Sequence, residues 1–130
     1  MTTALVTGAN RGIGLAIAAG LNRLEGMKVL VSSRRAEDGE NAARTLGGSA
    51  VGVQLDLSVA DGVEPEVKTV VDTHGPIDIL VNNAGVMENG NILETDCERL
   101  DSSLEVNFLS PLQLIRELVP ASMPEGMGGL

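Results

Sequence analysis

The sequence is nearly free of aromatic residues and carries a strong excess of negative charge. Its 130 residues include one phenylalanine and neither tyrosine nor tryptophan. Nine basic and eighteen acidic side chains give a net charge of −9, which argues against nucleic acid or an anionic membrane as a partner. Because no stretch is long and apolar enough to span a bilayer, and the N-terminus lacks a signal-peptide pattern, we expect no membrane partner.

Cysteine and histidine are equally scarce, with Cys97 and His74 the single example of each. One cysteine excludes an internal disulfide and fits a reducing compartment, so we predict a cytoplasmic protein. For Cys97 a packing role is favoured over a nucleophilic one. His74 precedes the fourth predicted strand, which puts it at the amino end of the sheet, as a surface turn residue. No cluster of ligand residues indicates a metal site.

Short apolar runs alternate with segments of helical periodicity. The predicted strands span residues 3–7, 28–33, 50–55 and 77–82, and the predicted helices span 12–24, 36–46, 59–73 and 96–119. This alternation predicts an α/β fold of the Rossmann type, a doubly wound parallel sheet with strand order 3-2-1-4. A ligand would then bind at the carboxyl ends of the strands. Residues 1–119 would form one domain, and the proline- and glycine-rich segment 120–130 a loose tail.

The helix predicted over 96–119 carries more apolar residues than one stripe facing a sheet requires. They are Leu100, Leu104, Phe108, Leu112, Ile115 and Val119. In the first helix the apolar stripe is shorter and comprises Ile13, Ile17, Leu21 and Leu24. The surplus apolar residues, together with an unpaired edge on the fourth strand, predict that the chain associates with itself or is loosely folded.

A glycine-rich turn joins the first strand to the first helix, from Thr7 to Gly14. The spacing of Gly8, Gly12 and Gly14 is Gly-x-x-x-Gly-x-Gly, which differs from the usual dinucleotide fingerprint. Unpaired N–H groups and the helix dipole favour an anion at such a helix start, and glycines let a pyrophosphate approach the backbone. We therefore predict a phosphate-binding turn there.

Arginines follow the second strand. A carboxylate at this position would instead favour a cofactor whose ribose 2′-hydroxyl is free. Ser33 is followed by Arg34 and Arg35, and Arg11 in the glycine turn would approach the same corner. The planar guanidinium suits a phosphate, so we favour binding of a 2′-phosphate over a solvated basic patch.

Two further strand ends carry candidate ligand residues. After the third strand, Asp56 could accept from an adenine amino group while Leu57 covers the ring, or Asp56 could instead cap the next helix. After the fourth strand, Asn82-Asn83-Ala84-Gly85 leaves room for a ligand, and for Asn83 a structural turn is favoured.

Four segments together resemble the short-chain dehydrogenase/reductase family, and in particular its NADP-preferring, carbonyl-reductase-like members. They are Thr7 to Gly14, Asp56-Leu57, Asn82 to Gly85 and Glu105-Val106-Asn107. The resemblance implies that NADP(H) is the cofactor. It implies the following cofactor-binding residues: Gly8, Asn10, Arg11, Gly12, Ile13 and Gly14 for the phosphates and adenosine, Arg34 for the 2′-phosphate, Asp56 and Leu57 for the adenine, and Asn82, Ala84 and Gly85 for the riboses.

The resemblance also implies that Asn107 is the family's catalytic asparagine, which holds a water in a proton relay. Pro111 lies four residues later and cannot donate to the Asn107 carbonyl, so that carbonyl would be freed to bind something else. The alternative is a buried asparagine at an ordinary proline kink.

The family's serine and Tyr-x-x-x-Lys are absent, since the sequence has no tyrosine and its lysines are Lys28 and Lys68. The resemblance therefore implies the N-terminal portion of an NADP(H)-dependent oxidoreductase, truncated after the fourth strand and its helix. A carbonyl or alcohol substrate would be turned over only if the missing half were supplied. The alternatives are a non-catalytic NADP(H)-binding module and an inactive truncated product.

Overall fold

A computed structural model describes residues 1–85, 93 and 96–122. Four parallel strands form one sheet in the order β3-β2-β1-β4, which confirms the predicted doubly wound α/β topology. The strands are β1 (Thr2–Val6), β2 (Met27–Ser33), β3 (Val51–Gln54) and β4 (Ile79–Val81). In register, Leu5 of β1 lies opposite Leu30 of β2 and Leu80 of β4. The crossovers bring the carboxyl ends of all four strands to one edge of the sheet.

Helices connect the strands close to where the sequence predicts them. They are α1 (Gly12–Asn22), α2 (Ala36–Leu46) and α3 (Val63–His74), the last preceded by a 3-10 turn at Ala60–Gly62. Pro65 lies in the first turn of α3, where proline costs no hydrogen bond.

The last helical segment contains a wide turn. It comprises α4 (Cys97–Leu104), a π-helical turn (Glu105–Leu109) and α5 (Ser110–Ser122). Pro111 lies just after the π turn and cannot donate to the Asn107 carbonyl, which is a known cause of such local widening. The helix runs three residues beyond the predicted boundary at 119, and residues 123–130 of the predicted tail lie outside the described part of the chain.

Successive residues of the central strands bury their side chains on opposite faces of the sheet. Val6, Val29 and Val31 pack with Ala18 of α1 and Ala42 of α2. The other face is a separate core around Leu5 and Leu30, to which α3 contributes Val63, Val67 and Val70 and α5 contributes Leu114 and Leu118.

The stripe predicted for the first helix is only partly correct. Ile17 and Leu21 pack on the core, but Ile13 and Leu24 are exposed. The buried positions of α1 are instead Gly14 and Ala18, and a Cβ at Gly14 would collide with the Asn83 amide and the Gly8 carbonyl. Ile13 belongs to the glycine turn at the strand ends rather than to the core.

Candidate cofactor site

A cleft of about 460 Å³ opens at the carboxyl ends of the strands, within the size range of small-molecule sites. It is lined by Gly8, Asn10, Arg11, Gly12, Ile13, Ser33, Arg34, Leu55, Asp56, Leu57, Ser58, Asn83, Ala84, Gly85, Ser102 and Val106. These residues come from the loops after all four strands and from the segment around the π turn. The strand ends therefore meet at one site, where a doubly wound sheet is expected to bind its ligand.

The glycine turn depends on backbone angles and clearances that favour glycine. Gly8 and Gly12 have φ angles of 58° and 59°, in the left-handed region. A Cβ at Gly8 would lie 3.0 Å from the Cα of Ala84, so the turn packs closely on the end of β4. Gly14 serves packing rather than the cleft, because a Cβ there would collide with the Asn83 amide and the Gly8 carbonyl.

The start of α1 is open to an anion. Arg11 occupies the N-cap position without a capping side-chain hydrogen bond, and no acidic residue lies in the first turn. By contrast, α2 carries Glu37 and Asp38 in its first turn, which complement the helix dipole. The partial positive charge of α1 therefore faces the glycine turn without an acidic side chain from its own first turn.

Hydrogen bonds between Thr7 and Asn83 tie the ends of β1 and β4 together. The Thr7 hydroxyl oxygen accepts from the backbone N–H groups of Asn83 and Ala84, both at 3.0 Å. The Asn83 side-chain amide donates to the carbonyls of Thr7 and Gly8, both at 3.2 Å. These bonds give Asn83 a structural role, in an irregular segment rather than in the turn favoured for it, and the residue also lines the cleft.

A basic corner closes the cleft beyond the end of β2. Arg34 and Arg11 are exposed and line the cleft, while Ser33 beneath them is buried. The link from β2 to α2, residues 34 and 35, carries no acidic side chain. The corner therefore carries the positive charge and the N–H donors that a phosphate site requires.

Asp56 follows β3, the strand paired with β2, and is held in a local turn. Its Oδ1 accepts from the Ser58 hydroxyl at 2.6 Å and from the Ser58 N–H at 3.0 Å. The hydroxyl bond is the main reason that the pKa of Asp56 lies below its usual value, and the charge of Arg34 adds to this lowering. Neither Asp56 nor Ser58 caps the following helix, because the 3-10 turn begins after Val59 without a side-chain cap. Leu57 is buried and lines the cleft beside Asp56.

Two side chains anchor the π turn to the loop that follows β3. At its start, Glu105 accepts from the backbone N–H of Ala60 at 2.7 Å. Just after its end, the buried Ser110 hydroxyl donates to the carbonyl of Leu57 at 2.7 Å. The π turn is thus held at both ends against the part of the chain that carries Asp56 and Leu57.

Asn107 lies on this turn, beside the cleft rather than within its lining. Its side chain is exposed, so the alternative of a buried asparagine at a proline kink does not apply. A Cβ at Gly85 would come within 3.0 Å of the Asn107 Oδ1, which places the amide against the end of the β4 loop. Val106 and Ser102, on the same helical segment, do line the cleft.

Of the thirteen residues predicted for the site, ten line the cleft. Gly14, Asn82 and Asn107 do not. The lining residues missed from the sequence are Ser33, Leu55, Ser58, Asn83, Ser102 and Val106. Five of these lie one or two residues from a predicted site residue. Their position next to a predicted residue, at a strand end or on the last helix, could have identified them. For Ser102, which lies five residues before Asn107, helical periodicity was the only indication.

The other reactive side chains lie elsewhere. His74 ends α3, and its Nδ1 lies 3.3 Å from the Lys28 Nζ, away from the cleft. Cys97 is exposed at the start of α4, so the packing role favoured for it is wrong. Within the described part of the chain, no three His, Cys, Asp or Glu side chains could hold a metal ion. In that same part, every helix is too short or too polar to cross a membrane.

Comparison with known proteins agrees with this geometry. The family model described as short chain dehydrogenase matches residues 2–130. The ketoacyl reductase HetN of Nostoc sp. is 34% identical over 128 residues, which cover 97% of this chain and 45% of the relative. Human dehydrogenase/reductase SDR family member 4 is 37% identical over 131 residues, 98% of this chain and 47% of the relative. The chain thus spans about half the length of these curated relatives.

Solved structures show the same likeness. A metagenomic short-chain oxidoreductase in complex with NADP superposes with a TM-score of 0.84 at 37% identity, over 92% of this chain and 56% of the other. L-Sorbose reductase from Gluconobacter frateurii, complexed with NADPH and L-sorbose, gives a TM-score of 0.84 at 35% identity, over 93% of this chain and 47% of the other.

Proposed function

The chain belongs to the short-chain dehydrogenase family, and from this premise we propose that it binds NADP(H) as part of an oxidoreductase that interconverts carbonyl and alcohol groups. The observation that carries the proposal is the convergence of the glycine turn, Arg34 and Asp56 on one cleft. The NADP and NADPH complexes of similar proteins support the choice of cofactor. The proposal includes the cytoplasmic location that the single cysteine favours.

The residues present fit a phosphorylated dinucleotide. The left-handed Gly8 and Gly12 keep side chains away from a pyrophosphate, and the α1 N-terminus offers unpaired N–H groups and no acidic side chain in its first turn. The same turn would contribute Asn10 and Ile13. Asn82, Ala84 and Gly85 would face the riboses, although Asn82 does not line the cleft.

The two charged groups that line the cleft, Arg34 and Asp56, would bind the adenosine end of the cofactor. Arg34, with Arg11, would hold the 2′-phosphate, and Asp56 would accept from the adenine amino group while Leu57 covers the ring. A lowered pKa keeps Asp56 ionised at neutral pH, which is the form that accepts a hydrogen bond.

When bound, the nicotinamide supplies the hydride. The contribution of this chain to the chemistry would be Asn107, which would hold a water in a path for the proton. The anchoring of the π turn by Glu105 and Ser110 supports that role, because it fixes the segment that carries Asn107. Since the 130 residues contain no tyrosine, we expect no measurable carbonyl reduction by this chain alone. Steady NADPH oxidation with a simple dicarbonyl, abolished by Asn107→Ala, would contradict this expectation.

Titration of the chain with NADPH and NADH tests the cofactor. A hydrogen-bonded charge pair contributes about 1.5–3 kcal/mol, so NADPH should bind about ten- to a hundredfold more tightly. Arg34→Asp should reverse the preference, whereas Arg23→Asp, at the far end of α1, should leave it unchanged. Equal affinities in the parent chain would overturn the proposal, and absence of any binding would favour an inactive product over a cofactor-binding module.

We also propose that the chain associates with itself through the outward face of α4 and α5. Phe108 is 60% exposed and Leu104 is 54% exposed, and covering such side chains recovers about 25 cal/mol per Å² of apolar surface. Sedimentation at micromolar concentration should show species larger than the monomer. The double variant Leu104→Lys, Leu112→Lys should be monomeric, while Leu24→Lys, which changes an exposed leucine next to α1, should not. A monomeric parent chain with a cooperative melt would contradict this.

A further inference from the structure

The two-residue link between β2 and α2 is held by hydrogen bonds to three consecutive carbonyls. The Ser33 carbonyl accepts from the Leu55 N–H at 2.9 Å, as an extension of the β2–β3 ladder. The Arg34 carbonyl accepts from the Gln54 side-chain amide at 3.2 Å. The Arg35 carbonyl accepts from the Ser33 hydroxyl. The Arg35 carbonyl also accepts from the backbone N–H groups of Asp38 and Gly39 at the start of α2. Two of these five bonds therefore come from side chains, which the strand register alone does not require.

Gln54 is placed to act on Arg34 from outside the cleft. It is the last residue of the edge strand β3, it pairs with Ser33, and its side chain is exposed. The cleft is lined by Leu55 and Asp56, the next two residues, but Gln54 does not line it. A hydrogen bond to the Arg34 carbonyl restricts rotation of the peptide after Arg34. The direction in which the long Arg34 side chain leaves the backbone is therefore restricted as well.

This restriction matters because Arg34 has a competing partner. Asp56 follows β3, the strand paired with β2, and the attraction between its negative charge and Arg34 contributes to the lowered pKa of Asp56. An arginine with a mobile backbone could turn toward this carboxylate and away from an incoming phosphate. Ordering the residue in advance reduces the entropy that a bound phosphate must otherwise overcome.

We infer that Gln54 is a positioning residue for cofactor specificity, which orients Arg34 toward the 2′-phosphate through the bond to its carbonyl. The inference rests on the proposed function, since it concerns the residue proposed to bind that phosphate. It assigns part of the preference for NADP(H) to a side chain that does not line the cleft.

Two small ligands test this on the chain as it stands. Binding of 2′,5′-ADP and of 5′-AMP, which differ by the 2′-phosphate, is measured by calorimetry. Gln54→Met keeps the length of the side chain and removes the donor, and Gln54→Leu provides a second variant without it. Since a single neutral hydrogen bond is involved, we expect 2′,5′-ADP to bind about two- to tenfold more weakly and 5′-AMP to bind as before. Thr73→Val, which removes a hydroxyl bonded within α3, is the control and should change neither affinity.

A double-mutant cycle separates positioning from general structure. In an Arg34→Met background, Gln54→Met should have no further effect on the affinity for 2′,5′-ADP. Equal weakening of both ligands, or the same loss with and without Arg34, would overturn the inference. A second result would also overturn the inference. It is that Gln54→Met binds 2′,5′-ADP as tightly as the parent chain, although the parent chain prefers 2′,5′-ADP and Arg34→Met loses that preference. A parent chain without that preference would instead overturn the proposed function, and the inference with it.

Discussion

Helix α1 and the α4–α5 segment pack on opposite faces of one sheet, but they bury their apolar residues to different extents. In α1 the small residues Gly14 and Ala18 face the core, and the larger Ile17 and Leu21 are partly buried against it. In α5, Leu114 and Leu118 are buried, while the opposite side of α4–α5 exposes most of its large apolar side chains. Helix α1 has the apolar residues that packing against one surface requires. The α4–α5 segment has enough apolar residues to pack against two surfaces.

The number of apolar residues in a helix therefore does not predict how many of them are buried within the described residues. At the start of α1, a Cβ at Gly14 would collide with the Asn83 amide and the Gly8 carbonyl, so glycine is favoured there. Where α5 meets the sheet, Leu114 and Leu118 complete the core that α3 shares. The outward side chains of α4–α5 contribute little to folding of this part of the chain, so substitutions on its two sides should have unequal effects.

The largest difference is expected between two neighbouring residues of α5. Leu114 is fully buried and Ile115 is 42% exposed. Leu114→Ala removes buried methylenes and leaves a cavity, so it should lower the free energy of unfolding by about 2–5 kcal/mol. Ile115→Ala should change it by less than about 0.5 kcal/mol at concentrations where the chain is monomeric. Urea unfolding measures both, and similar losses would mean that α5 does not pack as described.

A second pair of variants tests the close approach of α1. Gly14→Ala would push a methyl group into the Asn83 amide and the Gly8 carbonyl, and should cost about 1–3 kcal/mol of stability. Gly20, on the same helix, has no heavy atom within 4 Å of a Cβ position, so Gly20→Ala should stabilise the chain by about 0.5–1 kcal/mol. Thermal or urea unfolding of the two variants should therefore shift in opposite directions. Equal shifts would contradict the packing of the glycine turn against β4.

The smallest effect concerns α3, which shares its face of the sheet with α5. Burial, and to a lesser extent the charge of Lys28, lowers the pKa of His74 below its ordinary value of 6.5. The unfolded chain therefore takes up this proton more readily than the folded one, and stability should fall as the pH drops below about 6.5. Because His74 is the only histidine, His74→Gln should flatten the stability profile between that pH and the lowered pKa. NMR titration of the ring should give a midpoint below 6.5, and a midpoint above it would reverse the expected pH dependence.

The sequence was enough to predict the strand order, the element boundaries to within a few residues and most of the cleft lining. Alternating apolar runs and helical periods depend on local spacing, and parallel crossovers allow few topologies. Glycines and charges at strand ends identify the site because all strand ends meet at one edge.

Only the tertiary structure decided how the residues around that edge hold one another. The bonds of Asn83 to Thr7 and Gly8, of Gln54 to Arg34, and of Ser110 to Leu57 join residues 20 to 76 positions apart. No local pattern encodes such pairs, because each depends on the distance between two elements after packing. For the same reason, the tertiary structure decided that Cys97 is exposed and that Gly14 packs against Asn83 and the Gly8 carbonyl.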